Sequence, residues 1–206
     1  MRKQGRKSIP TPLRECVSFH GHLCPGLVYG YRVAREAEKI LKIRRSLDEE
    51  IVAVCETDSC AVDALQVLLG TTAGKGNLII KDYGKNAYTI ISRAKHKAYR
   101  FVRKTLYKYQ GAFAKLFEEL DAKAAAGEAS QTDWEKLKRL KAMDLLKRPF
   151  EEIFSVSEIK YQEPLRAKLA RSAACAQCGE MTMITKMVTI GRRKLCIPCA
   201  EKTKNQ

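Results

Sequence analysis

Two stretches of this chain carry side chains that can ligate a metal or act as nucleophiles. The first is the octapeptide Phe19-His20-Gly21-His22-Leu23-Cys24-Pro25-Gly26, in which two imidazoles and a thiol fall at i, i+2 and i+4. In an extended or looped segment, residues at that spacing project to one side, so His20, His22 and Cys24 are expected to converge. Pro25 suits the first position of a helix, which places Cys24 at or near its N-cap. Unsatisfied N–H groups and the positive dipole end found there lower a thiol pKa. Cys24 is therefore read as a metal ligand or a reactive thiolate. Cys60 repeats the arrangement, in the first turn of a helix that follows the apolar, β-branched stretch 50–55. Two such helix starts can meet in one cleft, giving a site of His20, His22, Cys24 and Cys60 with Glu56 and Asp63 as outer carboxylates. The alternative is that Cys55 and Cys60 are small core residues, Asp58 is a cap and one histidine merely holds a loop. Cys16 is assigned to packing.

The second stretch is the tail, where Cys175-Ala-Gln-Cys178 and Cys196-Ile-Pro-Cys199 are separated by 17 residues. Each Cys-x-x-Cys lets two thiolates bite one ion from a tight turn, and the spacing is that of a four-cysteine zinc ribbon. Gly179 follows the first pair, where a knuckle turn favours positive φ. Met181 with Met183, and Val188 with Ile190, alternate as short strands do, and Gly191-Arg192 marks a turn. A pair of redox dithiols is the competing explanation, but neither pair sits in a visible βαβ context.

These side chains need elements to hold them. Thr11 and Pro12 open a short helix running to about Phe19, and a long helix follows the loop 21–26 and runs to about Ile43. A buried strand over 50–55 leads to a helix over 60–69, capped by Asp58 or Ser59 and closed by Gly70. Strands are expected over 78–82, 87–92 and 98–102. Phe113, Leu116, Phe117 and Leu120 make an i, i+3, i+4, i+7 stripe for a helix over about 111–126. Thr132-Asp-Trp-Glu135 reads as a capping box opening a second helix that stops at Pro149. The two form a helical hairpin that covers the sheet or carries a dimer contact. Residues 153–161 suggest one more strand and 162–174 a linker. The organisation is thus an α+β core over 1–110 with a mixed helix and antiparallel-sheet fold, a helical connection over 111–172 and a ribbon over 173–206.

Composition narrows the class. With 206 residues, 45% apolar and 30% charged, the chain can bury a proper core. No run of about 18 apolar residues signals a membrane span, and the basic start, Met1 to Lys7, is not followed by the apolar stretch of a secretory signal. Metal-type cysteine pairs fit a reducing, cytoplasmic setting. The net charge is +16 and uneven: residues 1–110 carry 21 basic and 10 acidic side chains, residues 111–164 carry 9 and 11, and residues 165–206 carry 9 and 2. A basic ribbon suits nucleic acid, an acidic partner or an anionic cofactor. Gly70-Thr-Thr-Ala-Gly74-Lys75-Gly76-Asn77 looks like a phosphate loop but lacks its spacing and the Ser or Thr after the lysine. Its backbone amides can still hold an anion.

Four ordered blocks resemble the FmdE family, named for a component of formylmethanofuran dehydrogenase. They are Phe19-His-Gly-His-Leu-Cys-Pro-Gly-Leu27, Glu56-x-Asp-x-Cys60-Ala-Val-Asp63-Ala-Leu-Gln66, Gly74-Lys-Gly-Asn77 and Asp82-Tyr-Gly-Lys85. The resemblance implies an α+β core, usually dimeric, with a cleft lined by His20, His22, Cys24, Cys60 and Asp63. Lys75 and Gly76 of the glycine loop, with Lys85 of the last block, become candidates for holding a cofactor. It also implies association with molybdenum or tungsten formylmethanofuran dehydrogenase, without giving the chain that chemistry, because no iron–sulfur cluster run is present.

Three functions follow. An accessory metalloprotein would carry zinc in the tail, a second metal or thiolate site in the core, and partners among oxidoreductase subunits. A nucleic-acid-binding or regulatory protein would use the ribbon and bind with steep salt dependence; few aromatics and the neutral middle third disfavour it. A small metal-dependent enzyme would keep one coordination position open, with Cys24 reactive or Asp63 or Glu56 as base. The first is the preferred reading.

Overall fold

Apolar alternation along the strands decides which face of the sheet the helices cover. In the computed structural model, which describes residues 9–166 and 169–204, five strands form one sheet. They are β1 (Ile51–Cys55), β2 (Leu78–Ile80), β3 (Ala87–Ser92), β4 (Lys97–Arg103) and β5 (Phe154–Ile159), in the order β2-β1-β3-β4-β5. All neighbours run antiparallel except β1 and β2, which are parallel because a helix crosses over between them. Ala53, Cys55, Tyr88, Ile90 and Phe101 share one buried face. Against it pack α1 (Thr11–His20), α2 (Pro25–Leu41) and α3 (Ala61–Leu69). The opposite face carries a smaller cluster of Val52, Ile91 and Ala98 with Ile79, Ile159 and Tyr161. The basic segment Met1 to Lys7 lies outside the described residues.

The mixed helix and sheet class is as expected, and several details are not. The box opening α5 (Gln131–Lys147) is made by Ser130 and Asp133, each side chain meeting the other's backbone N–H, not by Thr132 and Glu135. The sequence Ser130-Gln-Thr-Asp-Trp-Glu135 contains both candidate boxes, and the chain uses the earlier one. α5 lies along α2, where the Arg32 guanidinium donates to the Leu145 carbonyl at 2.8 Å. In α4 (Ala114–Ala125) only Leu120 of the apolar stripe is buried, while Phe113 and Leu116 stay exposed. A short turn, α6 (Phe150–Ile153), precedes β5.

Residues 169–204 form a second compact unit. It contains β6 (Ser172–Ala174), β7 (Met181–Met183), a 3-10 turn at Ile184–Lys186, β8 (Met187–Ile190), β9 (Arg193–Cys196) and α7 (Ile197–Lys204). β6 pairs with β7, so a stretch expected as linker already belongs to the ribbon. Gly179 and Gly191 hold φ of 77° and 59°, as the two turns require. Apart from Leu195 and Ala200, the buried side chains among the described residues of this unit are cysteines.

Candidate metal centres

The core site begins with a close crossing of helices. Cys24 is the N-cap of α2 and Cys60 the N-cap of α3. A side chain at Gly30 would overlap the Ala61 backbone, and one at Gly26 would lie 3.1 Å from the Cys60 Cβ. Two glycines four apart on α2 therefore let the start of α3 press against it, bringing the two thiols together. The motif spacing had not singled these glycines out; the signal was there, since a glycine inside a helical pattern marks a packing or functional demand.

His20 completes the group from the last turn of α1. Its Nε2 lies 3.7 Å from the Cys24 Sγ, and donor atoms of His20, Cys24 and Cys60 all lie within 4.8 Å of one another. On the other side of the ring, Nδ1 donates to the Asp63 carboxylate at 2.7 Å. A carboxylate only accepts, so the proton sits on Nδ1 and Nε2 turns its lone pair toward the thiols. Gln66 donates to the other Asp63 oxygen at 3.0 Å and steadies it.

The N-terminus of α2 acts on Cys24 as expected, the Leu27 N–H donating to Sγ at 3.4 Å. It is outweighed. Burial pushes the Cys24 thiol up to about 11, with Cys60 adding to the rise. Burial does the same to Cys16, to about 11, and to Cys55, to about 12, in keeping with packing roles.

Not every expected group joins the cluster. His22 is exposed; its ring centroid lies 4.5 Å from that of His20. His20 ends α1 and Gly21 reverses the chain with φ 94°, so the i, i+2, i+4 rule for an extended segment does not apply. His22 instead lines a cavity of about 520 Å³ with Lys138 and Arg139 of α5. Glu56 is paired in bidentate fashion with Arg100, one bond being 2.9 Å, which holds its carboxyl below the ordinary range. Lys75 donates through Nζ to the Ser46 and Leu47 carbonyls, each at 3.4 Å, in the loop before β1, whereas Cys60 follows its far end. Gly76 closes a turn onto the Ala73 carbonyl. The Lys85 N–H donates to the Glu56 carbonyl.

In the tail unit, Cys175, Cys178, Cys196 and Cys199 bring four sulfurs within 4.8 Å of one another. Thiolates about 2.3 Å from a shared tetrahedral centre lie about 3.8 Å apart, and Cys178 and Cys196 stand at 3.8 Å. The same geometry puts an imidazole nitrogen and a thiolate about 3.6 Å apart, close to the 3.7 Å between His20 and Cys24. Both donor sets fit a tetrahedral ion. N–H groups of Cys178, Cys196 and Gln177 draw the Cys175 thiol down to about 6, so a first thiolate is available near neutrality.

Comparison with known proteins places these features in context. The family described as "FmdE, Molybdenum formylmethanofuran dehydrogenase operon" matches residues 19–155. A curated protein of Archaeoglobus fulgidus, "Probable S-adenosyl-L-methionine-binding protein", is 33% identical over 192 residues, covering 88% of this chain and 50% of that protein. The chain thus spans about half the length of that relative. The crystal structure of a tungsten formylmethanofuran dehydrogenase FmdE-like protein from Syntrophus aciditrophicus superposes with a TM-score of 0.55 at 19% identity, covering 93% of this chain and 91% of that one. At that identity the likeness is one of fold.

Proposed function

The chain belongs to the FmdE family, and from that premise and the geometry of the two centres we propose that it is a two-metal accessory protein of an oxidoreductase. The tail would hold a structural zinc, since four thiolates fill a tetrahedral ion and leave no position for chemistry. The core would hold a second ion between His20, Cys24 and Cys60, with Asp63 orienting the imidazole. The convergence of those three donors from three separate helices carries the proposal. Three protein ligands leave one position for water, substrate or a partner's side chain. That vacancy also favours the second reading, a small metal-dependent enzyme in which Asp63 and His20 set the ligand field. Free thiols at all eight cysteines suit the reducing, cytoplasmic setting in which such a protein would work. We place it there as a homodimer that docks on subunits of a formylmethanofuran dehydrogenase-type enzyme.

Elemental analysis of the native chain and of a Cys24→Ala, Cys60→Ala double variant tests the proposal. About two ions per chain, falling to about one in a variant that stays folded, are expected. One zinc per chain in both would remove the core centre and with it the accessory metalloprotein reading.

A further inference from the structure

The cavity beside His22 brings together two parts of the core unit that the sequence keeps far apart. One wall is the loop before α2, with His22 exposed and Leu23 half-buried against the helical core. The other wall is α5, which contributes Gln131, Glu135, Lys138 and Arg139. Those positions fall at i, i+4, i+7 and i+8, so they share one face of the helix over successive turns. The enclosed space is about 520 Å³, the size of a small-molecule site.

The charges around it are of both signs. A glutamate four residues ahead of an arginine is placed to pair with it on a helix. Here Glu135 pairs with neither Lys138 nor Arg139, and among the described residues none of the three enters an ion pair. Two other residues of α5 do pair: Lys141 with Asp121, and Asp144 with Arg148. Glu135 accepts one bond, from the Gln131 side-chain amide at 3.1 Å, which steadies the carboxylate through one oxygen. Lys138 lies within electrostatic reach of the His22 ring, which sets its ammonium toward the loop wall. An acid and two cations held apart around one concavity suit a ligand that carries both signs itself. A polyanion would be repelled by Glu135, and a cation by Lys138 and Arg139. A zwitterion meets both demands through charge-assisted hydrogen bonds, and Leu23 offers its aliphatic part an apolar wall.

We propose that this cavity binds a free α-amino acid, its carboxylate on Lys138 and Arg139, its ammonium on Glu135 and its side chain against Leu23. None of these contacts falls on His20, Cys24 or Cys60, so the site does not depend on what they hold.

Calorimetric titration of the full chain with each standard L-amino acid tests the proposal. Saturable binding of at least one is expected. Its N-acetyl derivative, which lacks the ammonium, and its amide, which lacks the carboxylate, should each bind about tenfold or more weakly, as loss of a charged hydrogen bond implies. Glu135→Gln should weaken the amino acid by a similar factor of about ten while leaving the N-acetyl derivative nearly unchanged. Lys138→Gln should weaken the amino acid and spare the amide. Lys136→Gln, an equal change in net charge at an exposed position of α5 outside the cavity, should alter binding by less than about twofold. No saturable binding of any standard amino acid would overturn the proposal. So would undiminished binding in Glu135→Gln and Lys138→Gln; its loss on chelation would then place the amino acid on a bound ion.

Discussion

The two cysteine centres are built in opposite ways. In the tail, four thiols come from two short knuckles, and among the described residues the unit's buried core is little more than three of those thiols, Leu195 and Ala200. In the core domain, three donors ride on three helices packed through a much larger core, around Leu13, Leu27, Val28 and Leu65, to which Cys24 and Cys60 add only a part. The tail should therefore fold because it binds metal, whereas the core should bind metal because it has folded. Local spacing suffices to build the first kind of centre; the second needs tertiary structure before any donor meets another.

That contrast can be broken most severely in the tail. Chelation, or Cys178→Ser, should remove a contribution of about 10–16 kcal/mol from a structural zinc. Limited proteolysis is expected to cut within residues 169–204 and to spare the core; full metal content and a protease-resistant tail in Cys178→Ser would show that the thiols are not its scaffold. The next largest effect belongs to Gly30→Ala, which should cost the core roughly 1–3 kcal/mol or more by forcing α2 from α3. Thermal unfolding should register it as a lowered Tm together with weaker metal binding, and an unchanged Tm would mean that the helix junction tolerates a methyl group.

How much of this was legible in the sequence follows the same division. The tail was readable because its donors are near neighbours and its glycines mark turns. Cys24 at an N-cap was readable from Pro25, and Cys60 from the strand before it. Their meeting was not, because Gly26 and Gly30 act only once α3 lies across α2. His22 was misplaced for a local reason: whether His20 ends a helix or begins a loop changes where a residue two positions on will point. The stretch at 130–135 offered two capping boxes of nearly equal quality, and propensity alone does not separate them. The parallel pairing of β2 with β1 and the partnership of Arg100 with Glu56 depend on register between distant strands.

Smaller effects sharpen the comparison. Asp63→Asn keeps the shape but weakens the hold on His20, and should lower affinity for the core ion by about 10–100-fold with little change in Tm or in the tail's metal. Equal losses at both centres in a metal titration would mean that the two are not independent. The smallest effect lies far from both. Glu50 accepts from the Ser46 hydroxyl at 2.6 Å and from the Asp48 N–H at 2.9 Å. The Ser46 hydroxyl first, then the Asp48 N–H, hold its carboxyl down to about 2 from an ordinary 4.5. A depressed carboxyl stabilises the fold above its unfolded value, so this contribution is complete above about pH 4.5 and is lost as pH falls toward 2. Because Glu50 is exposed, the contribution should stay under about 1 kcal/mol. Acid unfolding of Glu50→Gln should be flatter across that window, and an identical profile would remove the linkage.

The glycine junction between α2 and α3 has a consequence for which ions the core can discriminate. Where sulfur positions depend on rotamers, a ligand pair can widen or narrow around ions of different radius at the cost of a side-chain turn. Cys24 and Cys60 begin helices packed closely at Gly26 and Gly30, so the spacing of their Cα atoms is inherited from main-chain packing. Selectivity among metals then becomes a property of residues that never touch the ion. Substitutions at Gly26 or Gly30 would shift preference between small and large cations by moving the helices, while no donor residue is itself replaced.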